Sequence, residues 1–282
     1  MSRSNRTPGW RERRRRRSLP FRERFGGAAL VTGASSGIGQ ELARSLAKRG
    51  MDLVLVARRR DRMEALAEEL AEAHHVQALV LEVDLARPAA VDAVWQGTQD
   101  ARVTVGVLAN NAGFGERAPF ESHDEEYLAR LVDVNCRTPL LLTRRYLPPM
   151  LERNRGGLIF VASTAAYQPV PWLSAYAATK SFDLQLAESL WGEYHARGID
   201  VLGLAPGFTP TEFQGSAFAA ARQPYPPTTA AQVAESALAA LGHKATVVPG
   251  FANAGVALGV RFIPRAITAR LAARVLRPRQ VL

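Results

Sequence analysis

Runs of four to six largely apolar residues, broken only by Glu82 in the third, recur along this chain, separated by stretches with helical spacing. The runs fall at 28–31, 53–56, 78–83, 105–109, 158–162 and 201–205, with a shorter seventh at 246–248. A strand covered on both faces has no reason to alternate apolar with polar, so these runs predict strands buried inside a parallel sheet. Between them, 39–49 carries Leu42 and Leu46 four apart, and 61–74 carries Met63, Leu66 and Leu70 on one face behind an acidic start at Asp61. Helices are also predicted over 89–99, 125–147 and 175–195. Strand and helix alternating in this way predict an α/β protein: a doubly wound parallel sheet of about seven strands with helices on both faces. No repeat and no linker interrupts it, so 25–252 is expected to form one domain.

Charge changes the picture only at the ends. Of the formal +10, residues 1–24 supply ten Arg against two Glu, and residues 253–282 supply six Arg and no acid, leaving a net −4 between them. An enzyme of nucleic acids would carry its basic face on the body, so nucleic acid is not expected as a partner. Arg13 to Arg17 form an unbroken run, and residues 1–24 are expected to be a disordered arm. The basic extension 253–282 has Ile263, Ile267, Leu271 and Val275 at intervals of four, with Pro264 starting a possible helix and Arg270 and Arg277 beside the stripe. That pattern suits a helix on an anionic membrane, against a second subunit, or over a substrate cleft. The single cysteine, Cys136, excludes an internal disulfide and a cysteine metal site, and a reducing cytoplasm is the expected compartment. No cluster of metal ligands stands out.

The first strand runs into Thr32-Gly33-Ala34-Ser35-Ser36-Gly37-Ile38-Gly39, and a helix follows. A dinucleotide pyrophosphate needs this arrangement: glycines for a tight turn, free N–H groups at a helix start, and hydroxyl donors from Ser35 and Ser36. About twenty residues on, at the end of the second strand, an NAD enzyme places a carboxylate on the ribose 2′-hydroxyl. Here Ala57 is followed by Arg58, Arg59 and Arg60. A guanidinium binds a 2′-phosphate through paired, charge-assisted hydrogen bonds, so NADP(H) is preferred over NAD(H). On the last long helix, Tyr176 and Lys180 lie four apart and share a face. The chain keeps only three Lys against thirty-three Arg, and an ammonium beside a phenol lowers its pKa from about 10.

With its Thr-Gly-x3-Gly-x-Gly turn and Tyr-x3-Lys pair, the sequence resembles the classical branch of the short-chain dehydrogenase/reductase family over roughly residues 26–250. The resemblance implies a Rossmann-type fold and hydride transfer between a nicotinamide cofactor and a carbonyl or alcohol. It implies that Tyr176 is the acid/base, Lys180 its activating partner and ribose contact, Ser163 the donor to the substrate oxygen, and Asn135 the anchor of a water chain to the lysine. It assigns cofactor contacts to Gly33, Ser35, Ser36, Gly37, Ile38 and Gly39 in the turn, to Arg58 for the 2′-phosphate, and to Tyr176 together with Lys180. Asp84 and Leu85 fall at the adenine, Asn111 and Gly113 in the Asn-Asn-Ala-Gly segment. Pro206, Gly207, Thr209 and Thr211 fall at the carboxamide. Family members are commonly homodimers or homotetramers.

Specificity in such proteins lies in the segment after the Pro-Gly motif, here about 212–227, and in nearby loops. Phe114, Tyr167, Trp172, Phe208, Phe213, Phe218 and Tyr225 occur there, and an aromatic lining suits a lipophilic ketone or aldehyde. Two other readings stay open: a cofactor-binding regulatory protein on the same fold, and a membrane- or polyanion-associated protein acting through its basic arms.

Overall fold

The computed structural model describes residues 15–214 and 227–277. Seven parallel strands form one sheet: β1 Ala28–Thr32, β2 Leu53–Ala57, β3 Ala78–Glu82, β4 Val105–Asn110, β5 Gly156–Val161, β6 Ile199–Leu204 and β7 Thr246–Val247. Their spatial order is β3-β2-β1-β4-β5-β6-β7, the doubly wound arrangement that the alternating pattern predicts. The helices are α1 Phe21–Phe25, α2 Gly37–Ala47, α3 Arg60–His74, α4 Ala90–Asp100, α5 Glu125–Val132, α6 Thr138–Glu152, α7 Ser174–Tyr194, α8 Ala230–Ala240, α9 Phe251–Gly259 and α10 Arg265–Leu276.

Each central strand feeds two cores, because successive side chains point to opposite faces. Ala29 and Val31 of β1 join Leu42 and Leu46 of α2, Met63 and Leu66 of α3, and Val233 and Leu238 of α8. Ala28 and Leu30 join Val91 and Val94 of α4, Leu142 and Tyr146 of α6, and Ala187 of α7. The chain winds outward from β1 to β3 and then crosses back to β4, on the other side of β1. The crevice at the C-terminal ends of β1 and β4 is therefore the switch point where such sheets bind ligands.

The arm expected over 1–24 lies partly outside the described residues, which begin at 15. Its described end departs from the expectation. Residues 21–25 form α1, closed by Gly26 in the left-handed region at φ 64°. Phe21 and Phe25 pack edge to face with centroids 5.2 Å apart, and Phe25 is fully buried. Arg24 is buried too, pairing with Asp200 at 2.7 Å and donating to the Leu241 carbonyl at 2.8 Å. Two aromatic anchors and one satisfied guanidinium hold this end to the body, despite the arginine run before it.

The helix expected over 125–147 is also different. It divides into α5 and α6 around a π turn, Asp133–Arg137, and continues through Pro148 and Pro149 to Glu152. Those prolines leave the carbonyls of Arg144 and Arg145 without helical donors. Both arginines lie on the exposed face.

Candidate active site

One cleft of about 1040 Å³ runs along the C-terminal ends of the strands. Its first wall is the turn after β1. Gly33 adopts φ +68°, a conformation that side chains avoid. Gly39 stands behind the turn and not in the cleft lining: a Cβ there would sit 2.3 Å from the Gly33 carbonyl oxygen. Gly37 and Ile38 open α2 with Ser36 as its N-cap, so the helix begins facing the cleft. Asn111, from the end of β4, closes the wall. Its Nδ2 donates to the Thr32 carbonyl at 2.8 Å, and its N–H donates to Thr32 Oγ1 at 3.0 Å.

The basic end of the cleft contains two arginines, Arg58 and Arg59. Arg58 is exposed. Arg59, passed over in the sequence reading, is the better-anchored of the two. Its guanidinium donates to Ser35 Oγ at 3.0 Å and Ser36 Oγ at 2.8 Å, and pairs with Glu212 at 2.6 Å. Glu212 also pairs with Arg62, and both arginines hold its carboxyl below the usual range. Three consecutive arginines carry no signal in sequence as to which one turns inward. Asp84 and Leu85 line the same end. Asp84 Oδ1 accepts from the Ala86 N–H at 3.1 Å and its carboxylate faces Arg130 at 3.8 Å.

At the other end Ser163, Tyr176 and Lys180 come together in the lining, with Gly113, Pro206, Gly207, Thr209 and Thr211 around them. Ser163 follows β5 and caps a 3-10 turn, accepting from the Ala165 N–H at 3.1 Å. Thr209 is buried and donates to the Gly207 carbonyl at 3.3 Å. Lys180 is buried and donates to the Val161 carbonyl at 2.8 Å. It also donates to Asp183 Oδ2 at 2.9 Å, and both side chains of that pair are 5% exposed. Asp183 Oδ1 is buried without a hydrogen-bond partner. The sequence reading missed Asp183, although a carboxylate three residues from Lys180 on a helix shares its face.

Asn135 does not line the cleft. It is fully buried in the π turn, an insertion that recurs at functional sites. Its Oδ1 accepts from the Phe114 N–H at 3.1 Å, and its Nδ2 donates to the Phe114 carbonyl at 2.9 Å and Thr179 Oγ1 at 3.0 Å. A Cβ on Gly113 would stand 3.2 Å from both Asn135 Oδ1 and Lys180 Nζ, so that glycine separates the two.

Burial raises the Tyr176 pKa; the Lys180 charge and the Ser163 hydroxyl oppose it, and the Asp183 charge adds to it. The expected lowering by Lys180 is thus present but outweighed, because the phenol is desolvated and the ammonium is shared with a carboxylate. For Lys180, burial acts downward, but the charges of Asp183 and then Tyr176 carry the net shift upward. Cys136, the other titratable group facing the pair, is pushed by burial to about 11. It is a neutral thiol at physiological pH.

Of the aromatic residues expected at the substrate end, Phe114, Phe208 and Phe213 line the cleft. Phe218 and Tyr225 lie outside the described residues. Tyr167 and Trp172 face the C-terminal segment: Arg261 stacks on Tyr167 at 5.4 Å, and Trp172 Nε1 donates to the Ala273 carbonyl at 3.3 Å. Val170, Leu173 and Leu276 supply further apolar lining beside Tyr176.

The short chain dehydrogenase family model matches residues 27–222. Among curated relatives, hydroxysteroid dehydrogenase-like protein 1 of Gallus gallus is 29% identical over 223 residues, covering 78% of this chain and 67% of its own. The very-long-chain 3-oxoacyl-CoA reductase of Rattus norvegicus is 33% identical, covering 67% of this chain. The matched stretch spans only 61% of that relative's length. Among solved structures, a short-chain dehydrogenase from Sphingobium yanoikuyae in complex with NADPH is 32% identical with a TM-score of 0.72, covering 85% of this chain and 97% of its own.

Proposed function

We propose that this chain, which belongs to the short-chain dehydrogenase family, is an NADP(H)-dependent reductase of lipophilic ketones or aldehydes, with the matching alcohol oxidation as its reverse. One observation carries the reading: a single cleft has Ser163, Tyr176 and Lys180 at one end and Arg58 and Arg59 at the other. The residues fit a dinucleotide. The glycine turn leaves no side chain in the way, and the donors Ser35, Ser36, Arg58 and Arg59 match an anion. NADPH in the Sphingobium structure supports the same choice.

When bound, the cofactor supplies the hydride. Ser163 donates a hydrogen bond to the substrate oxygen and stabilises its developing negative charge. Tyr176 delivers the proton to that oxygen. Burial raises its pKa, which keeps that proton on the phenol until it is transferred. Lys180 holds a positive charge beside the phenol, and Asn135 positions the Phe114 loop and Thr179 around it. Phe114, Phe208, Phe213, Val170, Leu173 and Leu276 exclude water and favour an apolar substrate. The relatives' names, a hydroxysteroid dehydrogenase-like protein and a very-long-chain oxoacyl reductase, point the same way.

The test is NADPH oxidation against a panel of carbonyl compounds, with NADH as comparator. Bulky apolar ketones are expected to exceed small sugars in kcat/KM. A clear preference for sugars would remove the substrate assignment, and equal use of NADH the cofactor assignment.

The buried Lys180–Asp183 pair adds a pH prediction. Reduction needs Tyr176 protonated and Lys180 charged, and the Asp183 carboxylate raises both pKa values. Asp183→Asn removes that charge, so both groups titrate at lower pH. The alkaline limb of kcat/KM for reduction is expected to move down by about one pH unit. A lower plateau with an unmoved limb would mean that Asp183 serves packing alone.

A further inference from the structure

We propose that the C-terminal helices dock this protein on an anionic lipid surface, with one apolar face of α9 and α10 entering the headgroup region. The exposed large apolar side chains are concentrated there. Among the described residues, Phe251 is 100% exposed and Phe262 81%, and Leu258, Ile263, Ile267 and Leu271 are exposed with them. Phe251 and Leu258 are seven apart, two helical turns, so they lie on one side of α9. No charged residue interrupts α9 (FANAGVALG). In α10, Ile267 and Leu271 share a face; Arg270 borders it, and Arg274, seven residues from Ile267, lies at its edge on the same side. Such a helix, apolar on one side with arginines at its border, lies in the plane of a bilayer interface. The long arginine stems bury along apolar surface while their heads reach phosphate. No described helix is long and apolar enough to cross a membrane, so the contact is peripheral.

Charge selects the occupant. Residues 251–282 contain six Arg and neither Asp nor Glu. A second copy of this chain packed face to face would set these arginines against their own kind, with no carboxylate from the segment between them. An anionic bilayer supplies the missing negative charge. The face is also joined to the cleft: Leu276 of α10 lines it, and Trp172 is hydrogen-bonded to Ala273.

The test uses the full-length chain with phosphatidylcholine vesicles, with and without 30% phosphatidylserine (roughly a charged cytoplasmic leaflet). Sedimentation is expected with the anionic vesicles and to weaken with salt. The triple variant Phe251→Ser, Leu258→Ser, Phe262→Ser changes only exposed side chains and no charge. It is expected to lower the partition coefficient at least about tenfold. The ten arginines of 1–24 would also be drawn to anionic vesicles by charge, so a second variant locates the contact. Phe262→Trp is expected to gain emission, relative to wild type, that lipids brominated in their acyl chains quench. Equal sedimentation of wild type and triple variant, or an unquenched introduced indole, overturns the proposal. A triple variant that turns a dimer into a monomer without changing vesicle binding assigns the face to a second copy instead, and overturns it as well.

Discussion

Replacing Tyr176 with phenylalanine is expected to lower NADPH-dependent ketone reduction about 10³-fold while leaving NADPH affinity within about twofold of wild type. The variant removes one oxygen and keeps the ring. That ring packs beside Val170, Leu173 and Ala177 and lies 5.6 Å from the Phe213 ring, so the substitution leaves the apolar contacts in place. What it removes is the proton that must reach the substrate oxygen as the hydride arrives. Without it the oxygen retains Ser163 as a donor but loses the proton source beside it. Lys180 holds its proton more tightly than usual, and the Cys136 thiol stands behind it with a pKa of about 11. Stopped-flow reduction with cofactor titration separates the two quantities. Turnover at the wild-type rate would show that Tyr176 is not the acid. A matching loss of cofactor affinity would show that the hydroxyl serves to hold the cofactor.

The second large effect concerns the other end of the cleft. Arg58→Ala combined with Arg59→Ala is expected to reduce kcat/KM for NADPH about 10²-fold or more and to change that for NADH by less than about threefold. A charge-assisted hydrogen bond contributes about 1.5–3 kcal/mol, and each 1.4 kcal/mol is tenfold. Of the single variants, Arg59→Ala is expected to cost more. Its guanidinium is already fixed by Ser35, Ser36 and Glu212, so binding a phosphate costs it little conformational entropy. Arg58 is exposed and must be ordered by the ligand. Parallel loss for NADPH and NADH would mean that the arginines support the turn and do not read the 2′-phosphate. Glu212→Gln supplies a check on the same network: it removes the carboxylate paired with Arg59 among the described residues, so NADPH is expected to bind no more weakly.

Much of this molecule was legible before its structure. The seven strands sit where the apolar runs lie, displaced by one or two residues at their ends, because ladder hydrogen bonds rather than side chains set the boundaries. The turn Gly33 to Gly39 and the pair Tyr176 and Lys180 are local in sequence. Their spacing alone fixes a tight turn and a shared helix face. The departures come from contacts that cross the chain. Arg24 belongs to the body because Asp200 and the Leu241 carbonyl await it, and an arginine-rich context gives no sign of them. The π turn around Asn135 has no periodicity of its own, and it is fixed by the hydrogen bonds to Phe114 and Thr179.

The sequence by itself determined the layered fold, the glycine turn after the first strand and the shared helix face of Tyr176 and Lys180, because each rests on periodicity or on residues within a few positions of one another. Only the tertiary structure decided which of three arginines faces Ser35 and Ser36. It alone showed that Lys180 is shared with Asp183 and the Val161 carbonyl, and that Tyr167 and Trp172 hold the C-terminal segment while Leu276 of that segment enters the cleft. The physical reason is common to all three. A side chain's charge state and direction depend on what desolvates and faces it, and those neighbours are brought together by the sheet across distances that no local pattern spans.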